Sequence, residues 1–170
     1  DKLAESFYCA YDLPVITVRP FNTYGPAQSA RAVIPTIITQ ALTCEVIHLG
    51  NLESTRDFTY VDDTVEGFLR AARSETGLGE VFNLGTGQEI RIGDLAEKII
   101  AMVGREVKIE TEQQRLRPQK SEVMRLISDN SRAREVLGWA PQTSLDEGLK
   151  RTIHWISENL AQYRVGKYEF

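Results

Sequence analysis

The segment Val15-Ile16-Thr17-Val18 constrains this chain more than any other. It is short, β-branched and almost free of polar alternation, the pattern of a strand buried on both faces of a parallel sheet. Parallel strands need long crossovers, usually helical, and the flanking sequence supplies them. Residues 2–11 read as a helix, with Leu3, Phe7 and Ala10/Tyr11 on one face. Further helices are predicted over 32–42, 64–73 and 92–103, a short one ends at Gly138, and a last one opens at Ser144. Strands are predicted over 45–49, 81–84 and 107–110, with a short extended segment at 57–61 and a short strand at 126–128. Val65, Phe68, Leu69 and Ala72 share one face of the 64–73 helix, and Leu145, Leu149, Ile153, Ile156 and Leu160 line the last one. Gly104 suits the left-handed position that closes the 92–103 helix. Alternation of strands and helices makes the class α/β.

Charge and composition narrow the function. The 170 residues carry 20 basic and 24 acidic side chains, a net charge of −4, which speaks against a general nucleic-acid binder. No apolar run is long enough to span a membrane, and no signal peptide is evident. Cys9 and Cys44 lack metal or redox spacing and read as reduced thiols of a cytoplasmic protein. His48 and His154 stand in no metal-ligand spacing, so no metal site is expected.

Three segments could carry chemistry. Arg19–Pro26 follows the first strand, where ligands bind in open α/β sheets; Asn22 could donate to a phosphate or sugar hydroxyl there, and an ordinary Pro-Gly turn fits as well. Arg56 lies at the mouth of the 50–56 loop, where a guanidinium can grip an anionic oxygen pair. The adjacent Asp62 and Asp63 read as N-caps rather than a catalytic pair. In 115–122, Arg115 and Arg117 alternate before Pro118, and Glu122 offers an acceptor pair suited to a ribose diol; a solvated loop is the competing reading. Two motif matches are rejected. Gly85-Thr86-Gly87 does not run directly into a helix, as a pyrophosphate-binding turn must. Tyr163-x-x-x-Lys167 contains Gly166 and lies in a terminal tail rather than on a helix.

The segments LPVITVRPFNTYGP (13–26), GNLESTRDFTYVDD (50–63), VFNLGTG (81–87), RPQKSEV (117–123) and LGWAP (137–141), in this order and spacing, resemble the extended short-chain dehydrogenase/reductase family, the NAD-dependent nucleotide-sugar epimerases and dehydratases. Within it the chain looks most like the GDP-mannose 4,6-dehydratase branch and the nucleotide-activated N-acetylglucosamine 4,6-dehydratases. The glycine fingerprint, the catalytic Tyr-x-x-x-Lys and the acid pair of that family have no counterpart here. Asp1 matches a point shortly after the catalytic Lys, so the resemblance covers a C-terminal half.

The resemblance implies a remnant of a Rossmann-type parallel sheet (residues 1–23 and 56–75) beside a small α/β substrate-binding domain (24–55 and 76–170). It implies a nucleotide-diphosphate sugar as partner and NAD as cofactor of the intact enzyme, with no catalytic residue in this chain and no activity from it alone. By position, Asn22 would contact the diphosphate, Arg56 and Arg117 would clamp the two phosphates, and Glu122 would hold the ribose. Glu122 lies two residues farther from Arg-Pro than the acidic residue usual in the family. Val46 and His48 would lie along the nucleobase, contacting it largely through backbone, and Pro20 and Phe21 would approach the nicotinamide. Arg91 replaces the usual Ser or Thr cap, which predicts a weaker helix start. The expected reaction is a 4,6-dehydration, a lyase reaction, with 4-epimerisation or a non-catalytic nucleotide-binding module as alternatives. A homodimer is expected of the intact enzyme, and exposed flanks of Val15–Val18 in this chain alone.

Overall fold

The computed structural model describes residues 1–115, 122–163 and 165. Among them the helices are α1 (Lys2–Tyr11), α2 (Val33–Thr43), α3 (Val61–Arg73), α4 (Ile92–Val103), α5 (Ser131–Leu137) and α6 (Leu145–Glu158). The strands are β1 (Thr17–Pro20), β2 (Asn22–Tyr24), β3 (Val46–Leu49), β4 (Thr55–Arg56), β5 (Phe58–Tyr60), β6 (Val81–Leu84), β7 (Ile90–Arg91), β8 (Lys108–Thr111) and β9 (Arg125–Leu126). The chain divides into two compact units, one formed by 1–23, 57–88 and 127–144, the other by 24–56, 89–126 and 145–170. This division departs from the boundaries expected above. Residues 76–88 and 127–144 fold with the N-terminal segment, because β6 pairs in parallel with β1, Val18 opposite Phe82 and Pro20 opposite Leu84.

In the first unit, Phe82, Leu84, Ala71, Ala133, Leu137 and Trp139 form the core, joined by Ile16, Val18 and Val136. Trp139 is 1% exposed, and its indole N–H donates to Asp63 O at 2.8 Å, which satisfies the one polar atom of a buried ring. The 64–73 helix begins three residues earlier than expected, with Tyr60 in the N-cap position. Asp62 and Asp63 therefore lie in its first turn, where negative charge is favourable. Asp63 caps something else: its carboxylate accepts the backbone N–H groups of Gln142 (3.0 Å) and Thr143 (2.9 Å).

The predicted apolar face of α3 is outward. Val65, Phe68 and Leu69 are exposed, as are Leu3, Phe7 and Tyr11 of α1. The small residues Gly67 and Ala71 face the core instead. A Cβ on Gly67 would lie 2.3 Å from a Leu84 methyl and 3.1 Å from the Trp139 indole nitrogen, so glycine sets how closely this helix approaches the sheet.

The second unit packs α2, α4 and α6 on one another, and α2 on β3 of the parallel β3–β8 pair. Its core residues recur at helical spacing: Ile34, Ile37, Ile38 and Ala41 on α2, Ile92, Leu95, Ala96 and Ile99 on α4, Leu149 and Ile156 on α6. Thr152 is also buried there, and its hydroxyl donates to Gly148 O at 2.7 Å. Gly104 is left-handed, φ 74°, as the helix stop predicts. A three-stranded sheet in the order β7-β4-β9 completes the unit, β4 antiparallel to β7 and parallel to β9.

Candidate functional site

β4 is two residues long and central, and it positions Arg56. Its register sets Thr55 opposite both Arg91 and Arg125, and Arg56 opposite Ile90 and Leu126. The Arg56 guanidinium donates from Nη1 to Thr55 O at 2.8 Å and from Nη2 to Glu122 Oε1 at 3.4 Å. Both side chains are sheltered, 15% and 14% exposed. Glu122 comes within reach because it stands three residues before β9, and Thr55 N–H donates to Met124 O at 2.8 Å, holding that approach. Arg56 and Glu122 are thus brought together in the second unit. Arg117 lies outside the described residues. Arg115 is paired with Glu112, Nε to Oε2 at 2.5 Å.

The same sheet carries two exposed ion clusters. Arg125 meets Glu89 through Nε and Nη2, and Thr55 Oγ1 donates to Glu89 Oε2 at 2.7 Å. These donors, the Arg125 guanidinium first, hold the Glu89 carboxyl below its ordinary range. Arg91 reaches Asp94 and Glu53, and these two acids push its guanidinium above its usual range. Arg91 occupies the N-cap of α4 without a side-chain cap bond; it is tied to the first turn through Asp94 instead.

β3 places Val46 and His48 on one edge. Glu45 O and Leu49 O accept from Lys108 and Glu112 on the β8 side, so in a parallel ladder the intervening residues face away from β8. At His48 that edge is already occupied: its N–H donates to Gln40 Oε1 (2.9 Å) and its C=O accepts from Gln40 Nε2 (3.3 Å). Backbone recognition of a base at this position would have to displace Gln40. The His48 side chain is exposed.

In the first unit, Pro20 and Phe21 lie at the C-terminal end of β1, with Phe21 N–H donating to Leu84 O at 2.9 Å. Asn22 follows, and its Nδ2 donates to the backbone carbonyl of Asp57 at 2.9 Å.

Asp57 is the residue that sequence reasoning passed over. It is fully buried, and its carboxylate accepts from Thr86 N (2.9 Å), Thr86 Oγ1 (2.5 Å), Gly87 N (2.9 Å) and Ser128 N (3.1 Å). The Gly85-Thr86-Gly87 turn does cradle an anion, and the anion is this internal carboxylate. A Cβ on Gly85 would sit 2.3 Å from Ser128 Cβ and 2.9 Å from Asp57 Oδ2, which explains the glycine without any dinucleotide. The available signal was an acid between Arg56 and the apolar Phe58, where one short strand ends and the next begins. Tyr163, the start of the rejected Tyr-x-x-x-Lys match, donates its hydroxyl to Gln28 O at 3.0 Å, past the end of α6; Lys167 lies outside the described residues.

Among the described residues no cluster of three or more His, Cys, Asp or Glu could hold a metal ion, and no helix is long and apolar enough to cross a membrane.

Comparison with known proteins places these features in context. The GDP-mannose 4,6 dehydratase family model matches residues 1–152. A UDP-glucose 4-epimerase of Mycolicibacterium smegmatis is 38% identical over 151 residues, covering 85% of this chain and 46% of that protein. The UDP-glucose 4-epimerase of Thermotoga maritima, solved with UDP-glucose, superposes with a TM-score of 0.81 at 34% identity, over 94% of this chain and 51% of that one. The dTDP-glucose 4,6-dehydratase of Bacillus anthracis, solved with NAD, gives 0.83 at 26% identity, over 96% and 51%. The chain spans about half the length of the curated relatives it matches. With α/β architecture, strand-end loops and sequence all in agreement, the chain belongs to the extended short-chain dehydrogenase/reductase family of nucleotide-sugar epimerases and dehydratases.

Proposed function

We propose that this chain supplies the nucleotide-sugar-binding half of an NAD-dependent nucleotide-sugar 4,6-dehydratase. The observation that carries the reading is Arg56, a sheltered guanidinium held on a central strand with a carboxylate beside it. Such a fork suits the paired oxygens of a diphosphate, in charge-assisted bonds roughly twice as strong as neutral ones. Glu122 would accept from the ribose diol, Arg117 would take the second phosphate, and Asn22 would contact the diphosphate. Val46 and His48 would border the base, and Pro20 and Phe21 the nicotinamide. Binding energy at the nucleotide end then fixes the sugar for reaction.

The glycine turn does not fit the pyrophosphate of NAD. The Gly85–Gly87 turn presents its amides to Asp57, so the dinucleotide would be held by residues other than these. The working protein is accordingly a longer one, a cytoplasmic homodimer in this reading, and the 170 residues alone are inactive.

A 4-epimerase is the second reading, favoured by the identity to the mycobacterial enzyme. Incubating the full-length protein that carries this chain with NAD and UDP-, GDP- or dTDP-sugars tests both. A 4-keto-6-deoxy sugar is the expected product; a C4 epimer replaces dehydratase by epimerase. Failure to bind any nucleotide sugar rejects the proposal. Arg117→Ala should weaken binding by about 1.5–3 kcal/mol, the scale of a hydrogen bond to a charged group.

A further inference from the structure

We propose that Glu122 serves as an internal stand-in for the diphosphate: it neutralises Arg56 until ligand displaces it, and the displaced carboxylate then takes the ribose diol. The inference rests on the reading of Arg56 as a diphosphate ligand and adds to it an exchange of partners.

The contrast among the arginines of one sheet carries the proposal. Arg125 and Arg91, both exposed, are bound through several contacts of 2.8–3.1 Å each. Arg56 is sheltered, where an unpaired charge is costly, yet its carboxylate contact is a single one at 3.4 Å. That is well outside the roughly 2.7–2.9 Å of a well-made charge-assisted bond. The guanidinium does not relax toward Glu122, because Nη1 is tied to Thr55 O at 2.8 Å, on the central strand. The pair is therefore close enough to cancel charge and too loosely made to resist a better anion. A diphosphate oxygen pair can meet the planar fork in two short bonds. Glu122 cannot travel far once displaced, since Met124 O is held by Thr55 N–H two residues on. It remains beside the phosphates, where the first sugar of a nucleotide lies.

This exchange separates ligands that bring a ribose from those that do not. Inorganic pyrophosphate must displace Glu122 and gains nothing in return. A nucleoside diphosphate displaces it and recovers a hydrogen-bond partner for it. In the full-length protein, Glu122→Gln should therefore tighten inorganic pyrophosphate by about tenfold, equivalent to about 1.4 kcal/mol. It should leave UDP or GDP unchanged or weaker, so that the preference for nucleotide over pyrophosphate collapses. Glu122→Asp, with a shorter reach from the same backbone, should move both affinities in the same directions by less. In an Arg56→Gln background the Glu122→Gln effect on pyrophosphate should vanish, because the two residues act as one pair.

Calorimetric titration of wild type, Glu122→Gln, Glu122→Asp, Arg56→Gln and the double variant with pyrophosphate and with UDP or GDP decides the matter. Unchanged pyrophosphate affinity in Glu122→Gln overturns the exchange. Equal tightening with and without Arg56 also overturns it, since that is a general charge effect. A parent that binds nucleotide sugars while Arg56→Gln leaves pyrophosphate affinity intact overturns the exchange and the role of Arg56, and leaves nucleotide-sugar binding to other residues. A parent that binds no diphosphate of any kind removes the exchange and the proposed function together.

Discussion

At the scale of single residues, Asp57 organises more of the first unit than any side chain named for ligand binding. One carboxylate gathers a turn 29 residues away and a backbone amide 71 residues away, and its carbonyl orients the Asn22 amide. Removing it leaves four donors without this acceptor, the Ser128 N–H buried and the three of Thr86 and Gly87 part-buried, and an orphaned buried donor costs about 1–3 kcal/mol. Asp57→Ala should lower unfolding free energy by at least about 3 kcal/mol, read by urea denaturation. Asp57→Asn, which keeps one acceptor oxygen, should lose less. Faster amide exchange at Thr86, Gly87 and Ser128 would locate the damage, and unchanged exchange there would refute the role. The motif around Asp57 was visible in the sequence. Its duty was not, because nothing local to residue 57 specifies that residues 86, 87 and 128 will surround it.

Among the elements, α3 and the β7-β4-β9 sheet are the most instructive. Periodicity grouped Val65, Phe68, Leu69 and Ala72 on one face of α3, and in the fold that face is the exposed one. The helix meets Leu84 and Trp139 through Gly67, and close approach outweighs side-chain size. Gly67→Val should destabilise the chain by about 1–3 kcal/mol or more through overpacking, measured as a lowered melting temperature. The small sheet, with strands two residues long, relies on ion pairs that join its strands. Glu89 has its carboxyl held below the ordinary range by Arg125 and Thr55. A lowered carboxyl pKa contributes stability above its unfolded value, and that contribution disappears as pH falls through the folded one. Wild-type chain should therefore lose more stability than Glu89→Gln between about pH 7 and about pH 3. Parallel losses in thermal melts of the two proteins would show that Glu89 contributes nothing.

At the scale of the whole molecule, each unit has its own buried core, while one unit leaves apolar helix faces uncovered. Leu3, Phe7 and Tyr11 on α1 and Val65, Phe68 and Leu69 on α3 are 42–74% exposed, more apolar surface than scattered exposure requires. The 170-residue chain on its own should bind a hydrophobic dye and self-associate, and Phe7→Glu with Phe68→Glu should reduce both, as followed by dye fluorescence and light scattering. A monodisperse chain that binds no dye would contradict this. Read alone, the sequence placed the main helices and strands, marked the first strand as one of a parallel pair, and singled out Arg56 and Glu122 as candidates for ligand binding. Those properties follow from spacing and residue type within a few positions of one another. The membership of 76–88 and 127–144 in the first unit, the inward face of α3 and the anion inside the glycine turn were decided in three dimensions. So was the meeting of Arg56 with Glu122, 66 residues apart. Each depends on which distant backbone donors and side chains arrive around a group, and no local pattern encodes that arrival.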